Sequence, residues 1–127
     1  MKIMAIDYGE KRVGVASTDE TGEFALPRVV LPNDEKLLDI VLESIDKFKV
    51  ERVVMGESKD FKGEHNPIFE KIEQFKTDLE SHGVEVVLHP EMLTTVEARR
   101  LQGNTEMTDA SAAALILKSY LDFQREK

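Results

Sequence analysis

Three acidic residues stand where carboxylates are placed to do chemistry in α/β proteins. Asp7 follows an apolar run at residues 3–6, Glu91 comes just after the last strand-like run, and Asp109 lies in the first turn of the last helical segment. If the two strands are adjacent and parallel, Asp7 and Glu91 leave the sheet at its carboxyl edge, where open α/β sheets form their sites. The last helix could present Asp109 to the same place.

Three converging carboxylates repel one another in a partly dry site, so they need cations to offset the repulsion. A donor set of hard oxygens favours Mg²⁺ or Mn²⁺ over zinc. Two such ions about 4 Å apart support hydrolysis of a phosphodiester. The pattern predicts metal-assisted phosphoryl chemistry, with Asp7, Glu91 and Asp109 as catalytic residues and metal ligands.

Each acid taken alone also has a structural explanation. Asp7 precedes Tyr8-Gly9 and would shape a turn. Asp109 would complement the dipole of the helix that it begins, and Glu91 would be a solvated loop residue. Only their joint placement favours a site, and that placement depends on the topology.

The segments that must position these acids alternate between strand and helix patterns. Strands are predicted over 3–6, 12–18, 24–31, 52–55 and 84–88. Helices are predicted from a cap at Asn33 through Phe48, from a cap at Asn66 to a stop at Gly83, over a short stretch from Thr94, and from 108 towards 123. Pro27 indicates an edge strand or a bulge, Pro32 and Asn33 are predicted to end the third strand and cap the first helix, and residues 112–117 predict a buried last helix. The order indicates one α/β domain over 1–127, with a mixed five-stranded sheet (three N-terminal strands, then αβαβα) and helices on both faces.

Composition and charge exclude several classes of protein. The chain has 127 residues, 41% of them hydrophobic, and no cysteine, and its three histidines are too scattered for a zinc site. With no signal peptide and no apolar run of membrane length, we expect a soluble cytoplasmic protein without a membrane partner. Because 17 basic residues face 25 acidic ones, for a net charge of -8, a nucleic-acid partner must be bound through a local basic patch or through cations.

Several motifs, taken in order along the chain, are similar to those of the YqgF (RuvX-like) family. They are the opening Asp7-Tyr8-Gly9 with Lys11-Arg12-Val13-Gly14-Val15-Ala16, the glycines Gly56 and Gly63, then Glu91, Leu93-Thr94-Thr95 and Glu97-Ala98, and finally Asp109 with Ala112-Ala113-Ala114-Leu115-Ile116-Leu117 and Tyr120-Leu121. The resemblance spans essentially the whole chain.

This resemblance implies an RNase H-like fold and a nuclease that resolves Holliday junctions or processes pre-16S ribosomal RNA. It places the family's acidic triad on the three acids already singled out by position. It also implies substrate contacts by four residues near the site, which are Lys11, Arg12, Thr94 and Thr95. A solvated turn explains the two basic residues equally well, and helix capping explains Thr94.

The chain departs from the family pattern at three places. Met92 stands where the family usually has an arginine, which would be a natural bidentate phosphate contact. The glycine loop reads Gly56-Glu57-Ser58 instead of Gly-Leu-Pro, and the segment 99–108 lacks the usual long basic stretch. These changes weaken the expected grip on the substrate and leave the acidic triad intact.

Three functions follow as hypotheses. The first is a two-metal endonuclease acting on structured RNA or branched DNA. The second is a catalytically weak or inactive RNase H-like module that binds RNA or a protein partner. The third is an ATP-handling relative of actin, which shares the Asp-x-Gly turn but needs a duplicated domain for which 127 residues leave no room.

Overall fold

Five strands and three helices occupy the parts of the chain that the computed structural model describes, residues 2–57, 68–90 and 108–125. In chain order they are β1 (Ile3–Tyr8), β2 (Arg12–Thr18), β3 (Ala25–Pro32), α1 (Leu37–Phe48), β4 (Arg52–Glu57), α2 (Ile68–Ser81), β5 (Val86–Pro90) and α3 (Thr108–Arg125). The predicted α/β class with a mixed five-stranded sheet is confirmed. The short helix predicted from Thr94 lies outside the described residues.

The sheet has the strand order β3-β2-β1-β4-β5, with β1 at its centre. β1 runs antiparallel to β2 and parallel to β4, and β4 runs parallel to β5. Ile3, Met4, Ala5 and Ile6 are all buried, as a central strand covered on both faces requires. β3 is an edge strand, and its ladder with β2 shifts register between Val15 and Ala16, which confirms the edge or bulge predicted from Pro27.

Helices cover the two faces of the sheet with separate apolar layers. α1 and α2 pack against alternate strand residues, in a layer that includes Met4, Ile6, Val13, Met55, Val41, Ile72, Phe75 and Leu79. Against α3 lie the residues between them, with the layer Ile3, Ala5, Ala16, Val54, Ala113, Ile116, Leu117, Tyr120 and Leu121. Successive strand residues point to opposite faces of the sheet. The layer to which one residue belongs therefore shows which face its neighbours in the strand point to.

Small side chains line the contact between α3 and the middle of the sheet. Ala113 of the helix packs in one cluster with Ala5 of β1 and Ala16 of β2, and all three are fully buried. Side chains of one methyl group let a helix approach a sheet closely, and interiors packed to this density leave little room for a larger group. The predicted burial of the last helix is confirmed on the face that meets the sheet.

Two local predictions were wrong. β5 begins at Val86 and not at Val84, because the Val84 amide donates to Leu79 O (3.2 Å) and so helps to close the end of α2. Asn33 does not cap α1, which begins at Leu37 and has Lys36 as N-cap without a side-chain hydrogen bond. The Lys36 amide instead donates to Asp34 Oδ1 at 2.9 Å.

Among the helices of the described ranges, none combines the length and the apolar character needed to cross a bilayer.

Candidate active site at the carboxyl edge of the sheet

Asp7 is a carboxylate enclosed at the carboxyl end of the central strand. It is the second-last residue of β1 and only 9% exposed. Ile3 and Ala5 of the same strand pack against α3, so Asp7, two residues further on, lies on that face as well. An ionised side chain at such a depth requires a favourable partner.

The residue of the neighbouring strand β4 that lies beside Asp7 is a glycine. Ile6 is paired with Met55 in the parallel ladder, so the next residue of β4, Gly56, is level with Asp7. Gly56 shares the α3 side of the sheet with Val54 and is buried, and it has no side chain to fill that side. On the α3 side of the sheet, β4 therefore contributes no side chain between Asp7 of β1 and the end of β5.

The strand order also corrects one assumption of the sequence analysis. β1 and β5 are parallel, as expected, but they are not adjacent, because β4 lies between them. Two strand spacings amount to roughly 10 Å. Asp7 and His89, near the end of β5, thus lie on either side of Gly56.

His89 of β5 lies on the other side of Gly56 from Asp7. It pairs with Gly56 in the β4–β5 ladder, and its Nε2 lies 2.9 Å from Ser119 Oγ of α3. Its ring packs edge-on against Tyr120, with 5.7 Å between centroids, and at 6.2 Å from Phe123. Burial lowers the pKa of His89 below its ordinary value, because the surroundings disfavour the charged imidazolium. These contacts fasten the end of β5 to α3.

The turn between β1 and β2 carries the two predicted basic residues. Lys11 is exposed within the turn, and Arg12 begins β2. Gly14 pairs with Asp7, and Arg12 precedes Gly14 by two residues, so Arg12 lies on the same face of the sheet as Asp7. The structure therefore brings Lys11 and Arg12 to the edge that Asp7 occupies.

The remaining predicted site residues are tested less directly. Glu91 follows Pro90, the last residue of β5, and lies outside the described residues, as do Thr94 and Thr95. Asp109 is the second residue of α3, where the structure describes the backbone but not its side chain. Their roles stay predictions.

The chemistry of Asp7 fits a divalent cation. A carboxylate at the edge of an open sheet is a hard oxygen donor, of the kind that Mg²⁺ and Mn²⁺ prefer. Within the described ranges, no group of three His, Cys, Asp or Glu side chains is arranged to hold a metal ion. Two of the three predicted ligands, Glu91 and Asp109, are not among the side chains that the structure describes.

The sequence patterns do not indicate that His89 and Gly56 lie beside Asp7 at this edge. His89 was considered only as a zinc ligand, although its place at the end of the last buried strand was a usable signal. Gly56 was noted as a motif residue, but its level beside Asp7 depends on strand order, which no local pattern specifies.

Solved structures of low sequence identity share the fold. RuvC of Thermus thermophilus matches with a TM-score of 0.63 and 16% identity over 98% of this chain and 96% of that chain, in a complex with a Holliday junction substrate. The fowlpox virus Holliday junction resolvase matches with a TM-score of 0.59 and 15% identity over 98% of this chain and 99% of that one. These likenesses confirm the predicted RNase H-like fold.

Relatives of known sequence are much more similar. A protein of Desulforudis audaxviator is 38% identical over 98% of this chain and 96% of its own length, and one of Halothermothrix orenii is 34% identical over 99% and 98%. Both carry the name "Putative pre-16S rRNA nuclease". A family model described as RuvX, Holliday junction resolvase, matches residues 1–123. The resemblance stated from the motifs is confirmed, and the chain belongs to the RuvX family.

Proposed function

We propose that this protein is an endonuclease that uses Mg²⁺ or Mn²⁺ to cleave structured nucleic acid at the carboxyl edge of its sheet. Nuclease activity is the function named both by the family description and by the relatives that match nearly the whole chain. The metal requirement and the positions of the ligands are the finer part of the proposal. The one observation that carries them is the buried carboxylate of Asp7 at the carboxyl edge of the sheet, level with Gly56 of β4.

In this proposal Asp7 is the central ligand and Glu91 and Asp109 complete the set. When bound, a pair of divalent cations would activate water and stabilise the leaving oxygen of a phosphodiester. The chain itself supplies a preorganised edge. Asp7 is carried by β1, the end of β5 that precedes Glu91 contacts α3 through His89, and Asp109 is the second residue of α3. Such preorganisation matters because a displacement of about 1 Å can cost a hundredfold in rate.

Substrate binding would depend on local positive charge, since the chain as a whole carries a net charge of -8. Lys11 and Arg12 lie at the edge that Asp7 occupies and would contact phosphates of the backbone. Thr94 and Thr95 would add hydrogen bonds to phosphate. Precursor ribosomal RNA, named by the relatives, and Holliday junctions, named by the family model, are the two substrates to compare. The ribosomal substrate would place the protein in the cytoplasm.

A second candidate is a module that binds RNA or a protein partner without cleaving. The acidic net charge favours it, and so does Met92 in place of an arginine that would contact phosphate. The two candidates differ in metal dependence, since binding without chemistry does not require the carboxylate of Asp7.

The decisive experiment compares Asp7→Asn with the wild type on a precursor ribosomal RNA fragment and a four-way junction, each with Mg²⁺ and with Mn²⁺. We expect cleavage of at least one substrate to fall by more than about a hundredfold, because loss of outer-shell partners alone costs 10- to 100-fold. Asp46→Asn is the matched control, since Asp46 is exposed near the end of α1. Equal cleavage by both variants would refute the metal site, and the absence of cleavage by the wild type would favour the binding module.

A further inference from the structure

We propose that Asn33 is a positioning residue of this active site, one that holds the turn following Asp7 in place. This inference rests on the proposed function, because it assigns a role within the same metal site. Asn33 lies in the connection between β3 and α1, 26 positions from Asp7 in sequence. None of the sequence patterns linked it to the site.

Asn33 binds the β1–β2 turn through both its side chain and its backbone. Its Nδ2 donates to the carbonyl oxygen of Gly9 at 2.7 Å, and its backbone amide donates to the carbonyl of Lys11 at 3.0 Å. The hydroxyl of Tyr8 lies 3.5 Å from Asn33 Oδ1, a longer and weaker contact. The turn is thus held at two of its carbonyls by a segment that arrives from the other side of β2.

These contacts use the groups that a helix cap would have used. α1 begins three residues after Asp34, and Asp34 supplies the first-turn contacts, accepting from Lys36 at its side chain and from Leu37 at its carbonyl (3.1 Å). Neither of these contacts with the start of α1 involves Asn33. Its backbone amide bonds to Lys11 one residue beyond the Arg12–Pro32 pair, and so continues the β2–β3 register into the turn.

The turn transmits this constraint to the site in two directions. On one side, Gly9 is joined to Asp7 through Tyr8, whose ring packs against Phe75 of α2 with 5.4 Å between centroids. On the other, the turn leads into Arg12, on the face of the sheet that holds Asp7. Loosening the turn would release both the strand end that carries the metal ligand and the predicted phosphate contact.

The test is the affinity for Mn²⁺, measured by calorimetry on the full chain without nucleic acid, together with thermal unfolding and single-turnover cleavage at saturating Mn²⁺. For Asn33→Ala we expect Mn²⁺ to bind about tenfold more weakly, within the range found for outer-shell partners. Asn33→Asp keeps Oδ1 and the backbone amide but lacks the Nδ2 donor, so we expect it to bind no better than the alanine variant.

The matched control is Arg52→Met, at the opposite edge of the sheet. Arg52 donates to Glu85 (2.8 Å) and to the hydroxyl of Tyr120 (2.8 Å), so its loss also lowers stability through polar contacts. We expect this variant to melt earlier and yet to bind Mn²⁺ as the wild type does. A residue with a purely structural role would behave in the same way as Arg52.

Each outcome decides between these roles. Weaker Mn²⁺ binding by both Asn33 variants, with wild-type binding by Arg52→Met, supports the positioning role. Wild-type Mn²⁺ affinity in Asn33→Ala, or equal losses in Asn33→Ala and Arg52→Met, overturns it and leaves the proposed nuclease standing. If the wild type binds no Mn²⁺ that Asp7→Asn abolishes, the metal site itself fails and the role of Asn33 fails with it.

Discussion

The β1–β2 turn can be probed by the smallest possible enlargement, Gly9→Ala. A Cβ at Gly9 would lie 2.5 Å from the carbonyl oxygen of Arg12, a backbone atom, and side chains in folded proteins essentially never come that close. Relief requires a displacement of at least about 0.5 Å, since overpacked atoms must move apart to ordinary contact. The hydrogen bond from Asn33 to Gly9 O, at 2.7 Å, resists that displacement.

Overpacking of this kind costs about 1–3 kcal/mol. At about 2.1 cal/mol/K per residue, the unfolding entropy of 127 residues is about 0.27 kcal/mol/K, so the melting temperature should fall by about 4–11 °C. Differential scanning calorimetry measures this fall directly. Because the same turn leads to Asp7, we also expect Gly9→Ala to reduce metal-dependent cleavage at temperatures where it is fully folded.

Asparagine substitutions at two glycines separate the cause of the strain. Gly83 has a φ of +85° and no atom within 4 Å of its added Cβ, so its requirement is conformational. Asn tolerates that left-handed backbone, and we expect Gly83→Asn to be more stable than Gly83→Ala. At Gly9 the obstacle is a carbonyl oxygen, so asparagine should rescue nothing. A Gly9→Ala melting temperature within about 2 °C of the wild type would refute the steric argument, since it corresponds to about 0.5 kcal/mol.

Two further predictions concern the carboxyl edge of the sheet. Gly56→Ala adds a methyl group between Asp7 and His89, and we expect metal-dependent cleavage to fall by about tenfold or more, because small displacements at a reacting centre are costly. Unchanged kinetics would show that the site does not require a glycine between these two residues. The pKa of His89 is lowered by burial, so the unfolded chain takes up its proton first as the pH falls. Stability from this residue is full above about pH 6.5 and is lost progressively below it, and we expect the decline in melting temperature from pH 7.5 to 5.5 to be smaller in His89→Gln than in the wild type; parallel declines would contradict this.

The architecture was largely predictable because its signals are local. An uninterrupted apolar run such as that of Ile3–Ile6, closed by a turn, is typical of an enclosed strand, and the spacing of Leu37, Val41 and Ile45 is typical of a helix with one apolar side. Pro27 lacks an amide donor and so belongs on an edge or at a bulge, and β3 has both features. The position of Asp7 at the end of the first strand followed from the same pattern.

The parts that failed depend on contacts between distant segments. Nothing in the sequence of β5 shows that β4 inserts between it and β1, because strand order is a property of the whole sheet. Asn33 precedes a helix and has the side chain of a good cap, yet its side-chain amide donates to the carbonyl of Gly9, 24 residues away. His89 became part of the edge only through Ser119 and Tyr120 of a helix some 30 residues later.

The packing between α3 and the sheet also sets the distance between the backbones of two predicted metal ligands. Ala5, Ala16 and Ala113 are the smallest side chains of that layer, and with no larger group at these positions the helix lies close to the strands. Asp7 belongs to the strand layer and Asp109 to the helix. The distance between the backbones that carry Asp7 and Asp109 therefore depends on packing several residues away from either carboxylate. A single methylene added at one of these alanines would push the helix away from the sheet.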